Sequence, residues 1–540
     1  MDFFPTSNRK IKHAVKFIKM ETTLKTQSRA FRRNLLLLIL LLLGLSLRIY
    51  NLSGESIWLD ESISIKLASY SGLFEIAKEK WFDFPLYHFI LHYWIVLFGI
   101  SESSVRSPSV IFGVLILFMS YKVGALIFDK KVGILSTFLL SLSAFYIQYS
   151  QEARMYNLMG FLTLVSMYYF VKFIKEKSIA VAIKYLISSL LLISTHLFSV
   201  FIVLSQNLYI FTLFFLSKDI PVNKLKRWIV LQAILFISFV SAVLLVYLLS
   251  SNIFIFLAKY SKEWWIPRPS FASIVVSFLE YSGSLQLMLL FFALTILAIF
   301  NFQKSSGKVA FRGFFDSLEK CQLSFNLEGA KNSYLLLSWL FLPICALFLI
   351  SILVFPVYWT RYTIGSSLAF YLLVAKGIRN IRNNYVSFLV IGMIVLFSLM
   401  NVVTYYREIN NENWRAVAKY IDDNAKPSDL LIFTPGHALM PFKYYSKRED
   451  LQKRHFLEIY ETVNEENIKR LENVARGQHE RIWVIVSHNR DPHGLIKNYF
   501  SKSFNLAYSA EYLRSRFVNI RLGDLINKEE VAITVYLFSK

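Results

Sequence analysis

Across the first 405 positions of this chain, apolar runs of bilayer-crossing length return again and again, separated by short clusters of Lys and Arg. A run of about 20 apolar residues is the length of helix that crosses the hydrocarbon core, and a helix satisfies its own backbone hydrogen bonds where water is absent. With 55% of its 540 residues hydrophobic, most of the chain cannot have water as its solvent. A formal charge of +23 would suit a nucleic-acid partner, but the basic residues do not gather on one soluble face. They lie between the apolar runs, as the bias of cytoplasmic loops toward Lys and Arg requires, and nucleic acid is set aside.

Charge then orders the runs. Residues 1–34 carry nine basic side chains, from Arg9 to Arg33, which puts the N-terminus in the cytoplasm. The run from Leu35 ends at Arg48-Ile-Tyr-Asn with no small-residue cleavage site, so it reads as an uncleaved first span. Spans near 107–128, 132–149, 156–174, 183–200, 201–217, 228–250, 285–302, 334–355, 362–376 and 385–405 alternate after it, giving about eleven crossings. The run Pro85 to Gly99 is too short to span and suits an interfacial or re-entrant helix.

The expected architecture is thus an α-helical polytopic membrane domain over 35–405, with an outer loop at 53–106 and a soluble α/β domain over 406–540. In the latter a helix is expected over Trp414 to Asn424, and strands over 429–434, 481–487 and 531–538. An odd number of crossings puts that domain outside the cytoplasm. Of two cysteines, Cys321 falls in a cytoplasmic loop and Cys345 inside a span, which argues against a disulfide and excludes a cysteine-rich metal site.

The midplane of the spans is nearly free of ionisable groups, which argues against an ion-coupled transporter and for chemistry at the outer surface. There the polar residues gather in short strings. Trp58-Leu-Asp60-Glu61 offers a carboxylate able to take a proton from a hydroxyl, or a plain helix cap. Asp83 before Pro85 reads first as a helix start. His88 and His92 share a helical face that would permit metal ligation, but a third ligand is missing and interfacial histidines are the simpler reading. In Gln151-Glu152-Ala-Arg154-Met-Tyr156, Arg154 offers a fork of donors that fits a phosphate, or pairs with Glu152. Arg361-Tyr362 at the end of a span suits either a binding cation or a snorkelling side chain.

Taken in order, these strings resemble the GT-C superfamily of membrane glycosyltransferases, in its protein O-mannosyltransferase and aminoarabinose transferase branch. The resemblance runs over about the first 400 residues: Trp58-Leu-Asp60-Glu61, Asp83-x-Pro85-Leu-Tyr87, Arg106-x-Pro108-Ser109, Ser150-Gln-Glu152-Ala-Arg154-Met-Tyr156, Thr195-His196 and Arg361-Tyr362. It implies transfer of one sugar, by inverting displacement, from a polyprenyl-phosphate donor to an extracytoplasmic hydroxyl of a lipid, glycan or protein. It further implies Asp60 as catalytic base with Glu61 beside it, and Arg154 and Arg361 as holders of the donor phosphate. Glu152, Asp83, His92, His196 and Tyr362 become supporting residues. No cofactor is implied with certainty; relatives differ in their use of a divalent metal, for which Glu152 would be a ligand. Many relatives have His-Pro-Pro where this chain has Phe84-Pro85, so that histidine's role does not transfer. The competing expectation is a transporter or lipid-linked-glycan flippase, against which the absence of inverted repeats and broken midplane helices weighs.

Overall fold

The computed structural model describes residues 6–70, 72, 75–76, 85–217, 219–249, 266–299, 327–408, 410–452, 456–458, 463–464, 468–469, 479–488, 490–491, 493–515 and 529–540. Seven helices among them are long and apolar enough to cross a membrane: Gln27–Ile49, Glu102–Ile127, Tyr156–Lys175, Leu197–Ser217, Val222–Leu244, Ala330–Leu353 and Asn384–Arg407. Two bent pairs raise the number to as many as nine. Shorter helices over Ile179–Ile193 and Ile364–Asn380 occupy the two remaining apolar runs, so a helix stands on each of the eleven runs, of which up to nine have the length and composition to cross. This is a multi-pass membrane architecture. Cys321 and Asp83 lie outside the described residues.

Each bend has a local cause. Lys130–Ser141 and Ala144–Ser150 meet at 66°, and the second helix starts afresh where Ser143 Oγ accepts the Tyr146 N–H at 3.3 Å. Phe271–Ser282 and Leu285–Ile299 meet at 96°, because Gly283 closes the first at φ +82, a left-handed conformation that glycine adopts without strain. Leu38, Ile39 and Leu42 on the first span stand exposed, which suits a surface wetted by lipid. Inside the bundle small residues set the spacing. A Cβ on Gly124 would come within 2.9 Å of the Gly133 Cα, so these two glycines let the Glu102–Ile127 and Lys130–Ser141 helices cross closely. The helix Leu86–Phe98, 13 residues long, is too short to span, and its Val96 and Leu97 are exposed.

The C-terminal region is a five-stranded sheet in the order β2-β1-β3-β5-β4, with β1 Leu430–Thr434, β2 Phe456–Glu458, β3 Arg481–Ser487, β4 Asn505–Ser515 and β5 Glu529–Ser539. β2, β1 and β3 are parallel, while β5 and β4 join antiparallel. Helices cover both faces, which is why β1 and β3 read as continuous apolar runs. Leu431 and Phe433 pack with Trp414, Val417 and Ile421 of the Trp414–Asn424 helix; Leu430 and Ile432 pack with Ile496 and Phe500 on the other side. The sheet domain also grips the first interhelical loop: the Ile57 N–H donates to Tyr445 Oη at 2.7 Å, and the Asn410 and Asn411 N–H groups donate to the Glu55 carboxylate at 3.1 and 3.3 Å.

Candidate active site

The site grows from the short helix Leu59–Ala68. Trp58 is its N-cap, and the side chain that reaches back to the Trp58 N–H is Glu61, at 3.4 Å. Capping therefore falls to Glu61, which leaves the Asp60 carboxylate available for other contacts. Glu61 is fully buried and gripped by Arg106, whose Nε and Nη2 donate to its two oxygens at 2.8 and 2.7 Å. The Ala153 N–H adds a fourth donor, after the Trp58 N–H and the two from Arg106, at 2.8 Å. The other donors of Arg106 hold the carbonyls of Leu52, Glu55 and Ser56 at 2.8, 2.9 and 3.0 Å. One guanidinium thus ties together the loop after the first span, the helix bearing Asp60 and, through Glu61, the loop bearing Glu152 and Arg154.

That frame fixes the remaining charges. Arg361 Nη1 donates to Asp60 Oδ2 at 2.9 Å, with Arg361 9% and Asp60 20% exposed. Arg154 Nη1 donates to the Asp60 carbonyl at 3.3 Å and to Ser64 Oγ at 3.1 Å. The Arg361 guanidinium lies 5.8, 5.7 and 5.6 Å from the ring centres of Trp58, Tyr156 and Tyr362, a distance at which an aromatic face attracts a cation. Arg154 lies 5.7 Å from Tyr156 as well. Neither arginine snorkels: both are buried, and together with Asp60 and three aromatic rings they form one cluster.

Glu152 does not pair with Arg154 in any hydrogen bond or ion pair seen here. It accepts from Gln148 Nε2 at 3.2 Å through one oxygen, and its Oε2 is buried with no hydrogen-bond partner among the described residues. Burial first, and the nearby Glu61 charge second, push this carboxyl up to about 8. His196 caps the turn at Leu197 by accepting the Phe198 N–H at 3.2 Å, and its ring lies 5.0 Å from that of Tyr362. Through Tyr362 it abuts the cluster. His92 stands apart, its Nδ1 2.8 Å from the Ala68 carbonyl, a contact in which the ring must donate. It secures the far end of the Leu59–Ala68 helix. No three His, Cys, Asp or Glu side chains among the described residues converge as a metal site requires.

Sequence reasoning gives no role to two arginines. Arg106 is buried and enters the sequence reading only within Arg106-x-Pro108-Ser109, yet an Arg one turn into an apolar helix is itself a signal. Arg48 is likewise fully buried, donating to Ser150 Oγ at 3.0 Å and to the Gly44 and Leu140 carbonyls at 2.9 and 3.1 Å. It positions the turn that leads into Glu152.

Residues 84–199 match the family of dolichyl-phosphate-mannose-protein mannosyltransferases. Among solved structures, ArnT from Cupriavidus metallidurans in the apo state aligns with a TM-score of 0.55 at 9% identity, over 93% of this chain and 97% of that one. The same protein bound to undecaprenyl phosphate aligns with a TM-score of 0.55 at 10% identity over the same shares. The archaeal oligosaccharyltransferase AglB from Archaeoglobus fulgidus, in complex with an inhibitory peptide and a dolichol-phosphate, aligns with a TM-score of 0.51 at 12% identity, over 88% of this chain and 71% of that one. No curated protein matches.

Proposed function

From a chain with the GT-C fold and a mannosyltransferase-family segment at 84–199, we propose a glycosyltransferase that takes one sugar from a polyprenyl-phosphate donor and passes it to an acceptor hydroxyl. The observation that carries this reading is the cluster itself: one partly exposed carboxylate, Asp60, salt-bridged to Arg361 and bonded through its own carbonyl to Arg154. A carboxylate beside two fixed cations is what a displacement at a sugar phosphate needs.

Asp60 accepts the acceptor's hydroxyl proton as its oxygen attacks the anomeric carbon. The bond from that carbon to the phosphate oxygen breaks, the configuration inverts, and the lipid phosphate leaves with an added negative charge. Arg154 and Arg361 meet that charge with donors already in position. Glu152, with its carboxyl pushed up to about 8, is mostly neutral at pH 7 and so adds little repulsion near the leaving phosphate. Glu61 holds Asp60 in place through Arg106, and Tyr362 and His196 wall the cation cluster.

Transfer of radiolabelled sugar from purified polyprenyl-phosphate donors by the reconstituted protein tests the reading, with Arg154→Lys as the informative variant. Product from the wild type, reduced roughly tenfold or more when the forked guanidinium becomes a point charge, is the expected result. A transporter or flippase would move the lipid and make no product. The reading also requires the sheet domain to lie outside the cytoplasm, on the side of the donor sugar. A C-terminal alkaline phosphatase fusion should be active and a green fluorescent protein fusion dark; the reverse would put the cluster on the wrong side.

A further inference from the structure

The helix ends opposite the active site carry a convergence of charge that the proposed chemistry leaves unused. Three neighbouring helices, Glu102–Ile127, Tyr156–Lys175 and Ile179–Ile193, each bear a lysine within two turns of that end: Lys122, Lys172 and Lys184. These lysines meet around two adjacent rings. The Lys122 and Lys172 ammonium groups lie 5.9 and 5.4 Å from the centre of the Tyr168 ring, and that of Lys184 lies 5.9 Å from the centre of the Tyr169 ring. The two rings are 5.3 Å apart. An aromatic face attracts a cation at such a range but leaves its charge unneutralised.

Other lysines at the same end are committed. Lys175 Nζ donates to the Leu126 carbonyl and Lys224 Nζ to the Ile174 carbonyl, each at 2.6 Å, which closes the last turns of two helices. Lys172 has one carboxylate partner, Glu176, at 3.4 Å. Among the described residues neither Lys122, half-buried, nor Lys184, exposed, forms an ion pair. Three ammonium groups sharing one carboxylate repel one another, and an anion seated among them removes that repulsion.

The surface that leads from the lysines toward the middle of the spans is apolar. Phe118 stands one turn from Lys122 and Ile111 two turns further, 40% and 44% exposed; Ile187 and Leu191 stand one and two turns from Lys184, 53% and 40% exposed. Between these walls the Tyr156–Lys175 helix shows a recessed face, with Phe161 and Val165 in line with Tyr168 and all three half-buried. Cations at one end of an apolar trough match a phospholipid, with its phosphate at the interface and its chains along the spans.

We infer that Lys122, Lys172 and Lys184 seat the phosphate of an anionic glycerophospholipid, with Tyr168 and Tyr169 beside it and the acyl chains along Phe118 and Ile187. The inference rests on the orientation that the proposed function requires, which puts these helix ends at the cytoplasmic leaflet, where anionic lipids give the surface its negative potential. Binding itself is measured without reference to the leaflet. A zwitterionic lipid brings its own ammonium group and gains less from three lysines.

The test uses the full chain in a phosphorus-free detergent. Dioleoylphosphatidylglycerol and dioleoylphosphatidylcholine, which share acyl chains and differ in net charge, are titrated separately, and bound lipid is counted by native mass spectrometry. Phosphatidylglycerol is expected to bind roughly tenfold or more tightly. Lys122→Gln combined with Lys184→Gln should lower its affinity roughly tenfold or more, the scale of two charges lost beside a lipid phosphate, while Lys122→Arg combined with Lys184→Arg keeps it. Retained undecaprenyl phosphate binding in each variant reports an intact fold. Equal binding of the two lipids, equal affinity in wild type and the glutamine pair, or a loss that the arginine pair shares overturns the site. Arg154→Gln should lower undecaprenyl phosphate affinity and leave phosphatidylglycerol binding unchanged; loss of both would put phosphatidylglycerol at the opposite end of the spans and overturn the site as well. Failure of undecaprenyl phosphate to bind the wild type overturns the donor reading instead.

Discussion

The membrane domain and the sheet domain of this chain are held together by different forces. In the sheet domain the core is two apolar layers on the faces of β1 and β3, with Trp414, Phe433, Trp483 and Ile485 on one side and Ile432, Ile482, Val484 and Phe500 on the other. Water drives that burial. In the membrane domain lipid is as apolar as leucine, so apolar contact alone gives the helices little reason to choose one partner. There the loops at the active-site end are specified by buried polar ties: Arg106 to Glu61, Arg48 to Ser150, Gln151 Nε2 to the Arg48 and Tyr50 carbonyls, and Asn157 to Ser109 and Ser150. A polar tie is directional, whereas an apolar layer tolerates small shifts. The site that needs sub-ångström placement is built in the region that polar ties specify.

The strongest break of this comparison is Arg106→Ala. It leaves Glu61 buried with its principal counter-charge gone, a change worth about 3–5 kcal/mol when one partner of a buried pair is removed. The expected outcome is loss of the monodisperse protein in detergent, or a large drop in its melting temperature, together with loss of sugar transfer. If Arg106→Ala melts and turns over like the wild type, the polar frame is not what positions Asp60.

Asp60→Asn separates frame from chemistry. Asparagine keeps the shape, and capping is performed by Glu61, so melting should be nearly unchanged. Turnover should fall roughly 10²-fold or more, the usual scale for removing a general base, with undecaprenyl phosphate binding retained. A folded Asp60→Asn protein that transfers sugar at the wild-type rate excludes Asp60 as the base.

The same contrast explains what can be read in the sequence. Apolar runs of membrane length are a strong one-dimensional signal, and a helix stands on each of the eleven. In the sheet domain the Trp414–Asn424 helix and β3 coincide with their expected bounds, because a 3.6-residue stripe and a fully buried central strand are both local patterns. β2 and β4 escape. β2 has three residues, too few to show alternation, and β4 is an edge strand whose side chains alternate only between half-buried and exposed. Within the site, Asp60, Arg154 and Arg361 are visible as charges near span ends, but their convergence is not. Asp60 and Arg361 are 301 positions apart, and no pattern along the chain encodes that approach.

The smallest effect is the one that tells the two regions apart by pH. Glu152, in the polar frame, is pushed from the ordinary 4.5 to about 8 by burial and by the Glu61 charge. Between those values the folded chain holds a proton that the unfolded chain has lost, so this group's contribution to stability weakens as pH rises through the window and is constant above it. His437, in the sheet domain, goes the other way: burial first, then His488 and Arg490, push it from 6.5 to about 4, against the opposing pull of Asp60. There the unfolded chain binds the extra proton, so the contribution grows as pH rises from 4 to 6.5. Glu152→Gln fixes the neutral form. Subtracting its melting temperatures from those of the wild type should leave a difference that grows more unfavourable to the wild type from pH 5 to 8. His437→Gln, treated in the same way, should leave a difference confined below about pH 6.5 and of opposite slope. Parallel wild-type and Glu152→Gln curves would mean that Glu152 is charged in the folded protein at neutral pH. The leaving phosphate would then face a second uncompensated carboxylate beside Asp60, since Arg106 is already committed to Glu61.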